Sequence, residues 1–127
     1  MDLNDHDKKS LQNLEIDALI LFGSQAQGLA NENSDYDIFV LGPKKQEIYD
    51  VVYDIVSAKI KKLLDIDIVF DSIAPMELKY HVAKYGKVLY QKNDSIFANF
   101  RQQIMIQHAD FAEHRTIYSN ATLARIN

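Results

Sequence analysis

Between Ile20 and Val40 the chain reads ILFGSQAQGLANENSDYDIFV, and no other stretch restricts the possible folds as much. An apolar run from Ala18 to Phe22 breaks at Gly23-Ser24, and ten residues later Asp35-Tyr36-Asp37 opens a second apolar run. Short apolar runs bounded by turn formers predict buried strands. The first strand is expected over Ile16 to Phe22, in the centre of a sheet. The second is expected over Asp35 to Leu41, closed by Gly42-Pro43, which cannot continue a ladder. Between them, Gln25-Ala26-Gln27 reads as one helical turn whose N-terminus faces an anion. Strand side chains alternate faces, so Asp35 and Asp37 point the same way.

The rest of the chain alternates helix and strand. Asn4 or Asp5 caps a short first helix carrying Leu11 and Leu14. Over Lys44 to Leu64, the residues Ile48, Val51, Val52, Ile55, Val56, Ile60, Leu63 and Leu64 recur at helical spacing, with Lys59, Lys61 and Lys62 as a solvated C-terminal end. Asp65 to Phe70 alternates strictly and predicts a third strand, with Ile66, Ile68 and Phe70 on one face and Asp65, Asp67 and Val69 on the other. Pro75 starts a helix that Gly86 ends near Tyr85. Val88-Leu89-Tyr90 is extended, and Asn93-Asp94-Ser95 caps a last helix with Phe97, Phe100, Ile104 and Phe111 on one face, running past Arg115. The expected class is α/β (α+β): a small mixed sheet flanked by helices, in one domain over 1–127, ending in a C-terminal helix.

Composition excludes several functions. The chain has no cysteine, hence no disulfide framework or thiolate metal site. No apolar run approaches the roughly 20 residues that cross a bilayer, and the polar N-terminus lacks a secretory core, so a cytoplasmic protein with no membrane contact is expected. A net charge of −4 argues against direct nucleic-acid binding, which needs a basic surface. The histidines are expected in ordinary surroundings: His81 lies on an amphipathic helix, and His108 and His114 miss the i, i+4 spacing of a shared metal.

Two carboxylates on one face, beside a turn offering backbone N–H groups, suit Mg²⁺ and a polyphosphate. In nucleotidyl transfer an acceptor oxygen attacks the α-phosphoryl group as pyrophosphate leaves, and converging carboxylates hold the metal between them. Asp35 and Asp37 supply two such groups. Asp67 supplies a third, as metal ligand or as base for the acceptor hydroxyl, with Asp65 on the same face as its alternative. Gly23 allows close backbone approach to phosphate, and Ser24 donates its hydroxyl and N–H.

The arrangement Gly23-Ser24, ten residues, Asp35-Tyr36-Asp37, with Asp67 in the downstream segment DIDIVF, resembles the signature of the DNA polymerase β-like nucleotidyltransferase superfamily. LFGSQAQG, SDYDIFV and YGKVLYQKND are similar to segments of its minimal nucleotidyltransferases, the MNT proteins. The resemblance implies a polymerase β-like palm, catalytic and metal roles for Asp35, Asp37 and Asp67, and nucleotide binding at Gly23 and Ser24. It further implies Mg²⁺ as cofactor, ATP as substrate and a HEPN toxin as partner, which the chain would silence as an antitoxin by moving AMP onto a toxin tyrosine. One departure stands out: where the family carries Arg in its GSxARG loop this chain has Gln27, leaving metal and Lys44 or Lys45 to compensate. The competing expectation is a catalytically weak MNT-like protein that neutralises its partner by binding alone. Modification of a small molecule such as an antibiotic is a third, less favoured because little surface remains for an acceptor domain.

Overall fold

The computed structural model describes residues 1–29, 35–60 and 65–110. Its elements follow the expected order: helix α1 (Asp5–Gln12), strand β1 (Ala18–Phe22), the one-turn helix α2 (Ser24–Gln27), β2 (Tyr36–Leu41), α3 (Gln46–Lys59), β3 (Ile66–Phe70), a 3₁₀ turn (Asp71–Ile73), α4 (Met76–Tyr85), β4 (Lys87–Gln91) and α5 over 96–110. Phe111, Glu113, His114 and Tyr118, like Lys61, Lys62, Leu63 and Leu64, lie outside the described residues.

The strands form a mixed sheet in the order β3-β2-β1-β4. β1 runs antiparallel to both of its neighbours, while β2 and β3 are parallel, as a helical crossover such as α3 requires. All five residues of β1 are buried, which explains why its sequence is a continuous apolar run rather than an alternation. Leu19, Leu21, Ile38, Val40 and Phe70 face one way and pack with Leu11 of α1 and Ile48, Val52 and Val56 of α3. Ala18, Ile20, Phe22, Phe39, Leu41 and Val69 face the other way, toward Leu78 and Val82 of α4 and Phe97 and Phe100 of α5. Burying each large aliphatic side chain in these layers stabilises the fold by about 1.5–3 kcal/mol.

Two details depart from the sequence reading, and a third meets it for a reason the sequence does not show. The third helix stops at Lys59, because Ile60 already has extended backbone angles. Lys59 is not a solvated end: its Nζ pairs with Asp7 Oδ2 at 2.7 Å and ties α3 to α1. Gly86 ends α4 as expected, and with φ −66° what it contributes is space. A Cβ there would come within 2.5 Å of both Ile20 Cγ2 and the Val82 carbonyl oxygen. One feature of β4 has no sequence signal. Leu89 is an extra residue between Val88, opposite Ile20, and Tyr90, opposite Leu19. This bulge lets Leu89 and Tyr90, adjacent in sequence, both reach the layer beneath α3.

Asn4 caps α1 reciprocally: its side chain accepts from the Asp7 N–H at 2.8 Å, and the Asp7 carboxylate accepts from the Asn4 N–H at 3.1 Å. The bond from Lys59, aided by that backbone bond, holds the Asp7 carboxyl below its ordinary value against the opposing effect of burial. A lowered carboxyl pKa adds stability above the unfolded-state value that disappears as pH falls through the folded one. Asn4→Ala is therefore expected to cost about 1 kcal/mol in urea unfolding at pH 7. Asp7→Asn should destabilise at pH 7 and converge with the wild type as the solution is acidified below pH 3.8, the ordinary carboxyl value.

Candidate active site

The parallel register of β2 and β3 assembles the site. Asp37 lies directly opposite Asp67, and Tyr36 opposite Ile66. The Tyr36 N–H donates to the Asp65 carbonyl at 3.0 Å, which fixes where the ladder begins. Asp37 shares its parity with Phe39 and Leu41, and Asp67 with Val69, so both carboxylates emerge on the sheet face covered by α4 and α5. Asp35 precedes the first β2 residue and continues the same alternation. Asp35, Asp37, Asp65 and Asp67 line one cleft of about 420 Å³ with Tyr53 and Ile66. A cleft of about 440 Å³ lies between β4 and α5, but it has only Asp94 and Arg101 as charged lining groups. Size does not distinguish the two clefts; the convergence of carboxylates does.

Across the sheet, Phe22 is the residue opposite Asp37 and is followed at once by Gly23-Ser24. Gly23 has φ 75° and ψ −156°, a backbone region open essentially to glycine alone. A side chain there would collide with the Asp37 carboxylate, its Cβ 3.3 Å from Asp37 Cγ. Glycine thus serves twice, in the turn and in leaving space beside the carboxylate. Its carbonyl accepts the Ala26 and Gln27 N–H groups at 3.1 and 3.2 Å, closing the turn of α2 that presents Ser24 at its start.

Burial, and then the charges of Asp67 and Asp35, raise the Asp37 carboxyl above its ordinary value, with the His81 imidazole pulling the other way. Among the described residues no three acidic or imidazole groups converge into a preformed metal cage. An all-oxygen donor set of mutually repelling carboxylates nevertheless fits Mg²⁺, which keeps waters and takes few protein ligands alongside phosphate.

Every expected site residue, Gly23, Ser24, Asp35, Asp37 and Asp67, lies at this one end of the sheet. Asp65 joins them in the cleft. The compensating role expected for Lys44 and Lys45 is not met. Both follow the C-terminal end of β2, whereas the carboxylates are at its beginning, and Lys45 Nζ pairs with Glu15 at 3.0 Å. Two neighbours were not legible. Tyr53 of α3, 42% exposed, borders the cleft and stacks on Tyr49. His81 of α4 stands edge-on to Phe22 at 6.4 Å between ring centroids. Helical periodicity marks both only as non-core positions, and their proximity to the carboxylates depends on helix packing.

The chain is a nucleotidyltransferase. A family model described as Polymerase beta, Nucleotidyltransferase matches residues 7–95, and the chain belongs to that family, whose mixed α+β fold it shares. Among individual relatives, it is 31% identical over 102 residues to the protein adenylyltransferase MntA of Aphanizomenon flos-aquae, covering 72% of this chain and 68% of that one. A crystallised toxin–antitoxin chain determined with AMP-PNP superposes with a TM-score of 0.70 at 25% identity, over 94% of this chain and 99% of the other. A chain from the complex of a tri-AMPylated Shewanella oneidensis HEPN toxin with its MNT antitoxin shares the fold at a TM-score of 0.61 and 22% identity, covering 91% and 95%. Among the described residues no helix is long and apolar enough to cross a membrane.

A carboxyl with a raised folded-state pKa lowers stability as pH climbs from the unfolded value through the folded one. Asp37→Asn should therefore raise the Tm of the metal-free chain at pH 8, by a few degrees at about 3–5 °C per kcal/mol. The gain should shrink toward pH 4, and added Mg²⁺ should stabilise the wild type more than the variant in the same melting experiment.

Proposed function

We propose that this chain is an Mg²⁺-dependent protein adenylyltransferase that transfers AMP from ATP to a tyrosine of a HEPN-family toxin and so acts as its antitoxin, in the cytoplasm. The observation that carries this reading is the placement of Asp37 opposite Asp67 beside a glycine that cannot bear a side chain. The likeness to MntA and to the chain determined with AMP-PNP supports protein adenylylation with ATP as donor.

In this reading Asp35 and Asp37, with Asp67, hold the metal, and Gly23 and Ser24 receive the triphosphate tail. Bound Mg²⁺ supplies charge neutralisation at the α-phosphoryl group and the leaving oxygens. The tyrosine phenol oxygen forms a bond to the α-phosphorus while the bond from that phosphorus to the bridging oxygen breaks. Pyrophosphate leaves with the electron pair, and Asp67 takes the phenol proton. Desolvation of Asp37 strengthens its interaction with any cation that enters.

A second reading has a specific observation behind it. Gln27 replaces a cation that would form charge-assisted bonds about twice as strong as neutral ones with phosphate. This favours a weakened enzyme that neutralises its partner by contact alone. Intact-mass spectrometry separates the two. Incubating the HEPN partner with this chain, ATP and Mg²⁺ is expected to add one or more AMP masses. Asp35→Asn with Asp37→Asn should slow the addition at least roughly 10³-fold, since the lost charge stabilisation is worth several kcal/mol. A tight complex that never gains mass, and protection that survives the double substitution, would establish the contact-only antitoxin.

A further inference from the structure

Resting on the reading of the carboxylate cleft as a nucleotide site, we propose that the last turn of α4 supplies the phosphate-binding charge that the loop lacks. Lys84 binds the β- and γ-phosphates of the nucleoside triphosphate, and His81 acts as a hydrogen-bond donor beside it.

The direction of the triphosphate follows from the order of the strands. At one end of the sheet stand Asp67 on β3, then Asp37 on β2, then Gly23-Ser24 after β1, and then the junction of α4 and β4. An α-phosphoryl group held between Asp37 and Asp67 therefore extends its tail across β1 toward α4. The position of α4 is constrained there. Lys87, the first residue of β4, lies opposite Leu21, one residue before Phe22. Gly86 is wedged so closely against Ile20 that no side chain fits, which pins the end of the helix to β1. The His81 ring stands edge-on to Phe22, the residue directly opposite Asp37 on the neighbouring strand.

Lys84 differs from the lysines paired elsewhere. Lys45 is held by Glu15 and Lys59 by Asp7. The Lys84 ammonium lies over the rings of Tyr80 and Tyr85, at 5.9 and 5.3 Å from their centroids, and among the described residues it forms no ion pair with a carboxylate. His81 leans on Tyr85 at 5.2 Å, so the imidazole and the ammonium border the same aromatic surface. Ring faces position a cation without neutralising it, and its donors stay available to an anion. A triphosphate entering a cleft of four carboxylates needs such a cation, and Gln27 does not provide one.

Calorimetric titration of the full-length chain with Mg·ATP and with Mg·AMP tests this. Lys84→Ala should weaken Mg·ATP binding about tenfold, and the His81→Ala/Lys84→Ala double substitution further, with AMP affinity within about twofold of wild type in both. Lys84→Arg should keep most of the ATP affinity, and matching melting temperatures would establish intact folding. ATP affinity unchanged in Lys84→Ala and in the double variant, with the wild type binding normally, would overturn the inference and leave the proposed function standing. Equal losses for ATP and AMP would also overturn it, because the contact would then be to nucleoside or α-phosphate. A wild type that binds no Mg·ATP would overturn both.

Discussion

The pairing of β2 with β3 brings Asp37 against Asp67, and like charges at adjacent ladder positions repel. The fold tolerates this because it is anchored elsewhere. Beyond the carboxylates the same two strands continue as the buried Ile38, Phe39 and Val40 opposite the half-buried Ile68 and Val69 and the buried Phe70, packed against helices on both faces. Apolar burial fixes a register that electrostatics alone would reject, and the rejected charges collect at the solvent end of the sheet. The core is stable enough to hold these carboxylates together, and the metal ion of the proposed function would relieve their repulsion.

The surroundings of that cluster extend the same logic. Gly23 must be glycine twice over, for its backbone angles and for the space that the Asp37 carboxylate occupies. On the far side of β1, Gly86 brings α4 close enough for His81 to reach Phe22. Acidic groups and cationic or imidazole groups thus arrive at one sheet end from different elements. Negative groups come from β2, β3 and the residues preceding them; positive and imidazole groups come from α4. In the proposed function, substrate charge would be matched in that order, with metal beside β2 and β3 and the phosphate tail toward α4.

Much of this was legible in the residue pattern, and the failures are instructive. The spacing of Gly23-Ser24 and Asp35-Tyr36-Asp37 and the alternation of Asp65 to Phe70 depend on local backbone geometry, so strands and side-chain parity follow directly. The Leu89 bulge, the Lys59–Asp7 bridge and the pairing of Lys45 with Glu15 involve partners far apart in sequence or a register chosen by the core. Lys44 and Lys45 were expected to compensate for Gln27, but they follow β2, and a strand of six residues separates its two ends by roughly 20 Å, which removes them from the site.

The sequence by itself determined the elements, the faces on which the carboxylates lie and the family, because alternation, turn chemistry and motif spacing are properties of neighbouring residues. Only the tertiary structure decided that Asp37 meets Asp67, that Tyr53 borders their cleft and that α4, not the segment after β2, brings His81 and Lys84 to that end of the sheet. Those relations are set by strand order and by which helix covers which face, and both are chosen by the collective packing of the two apolar layers and not by any local run of residues.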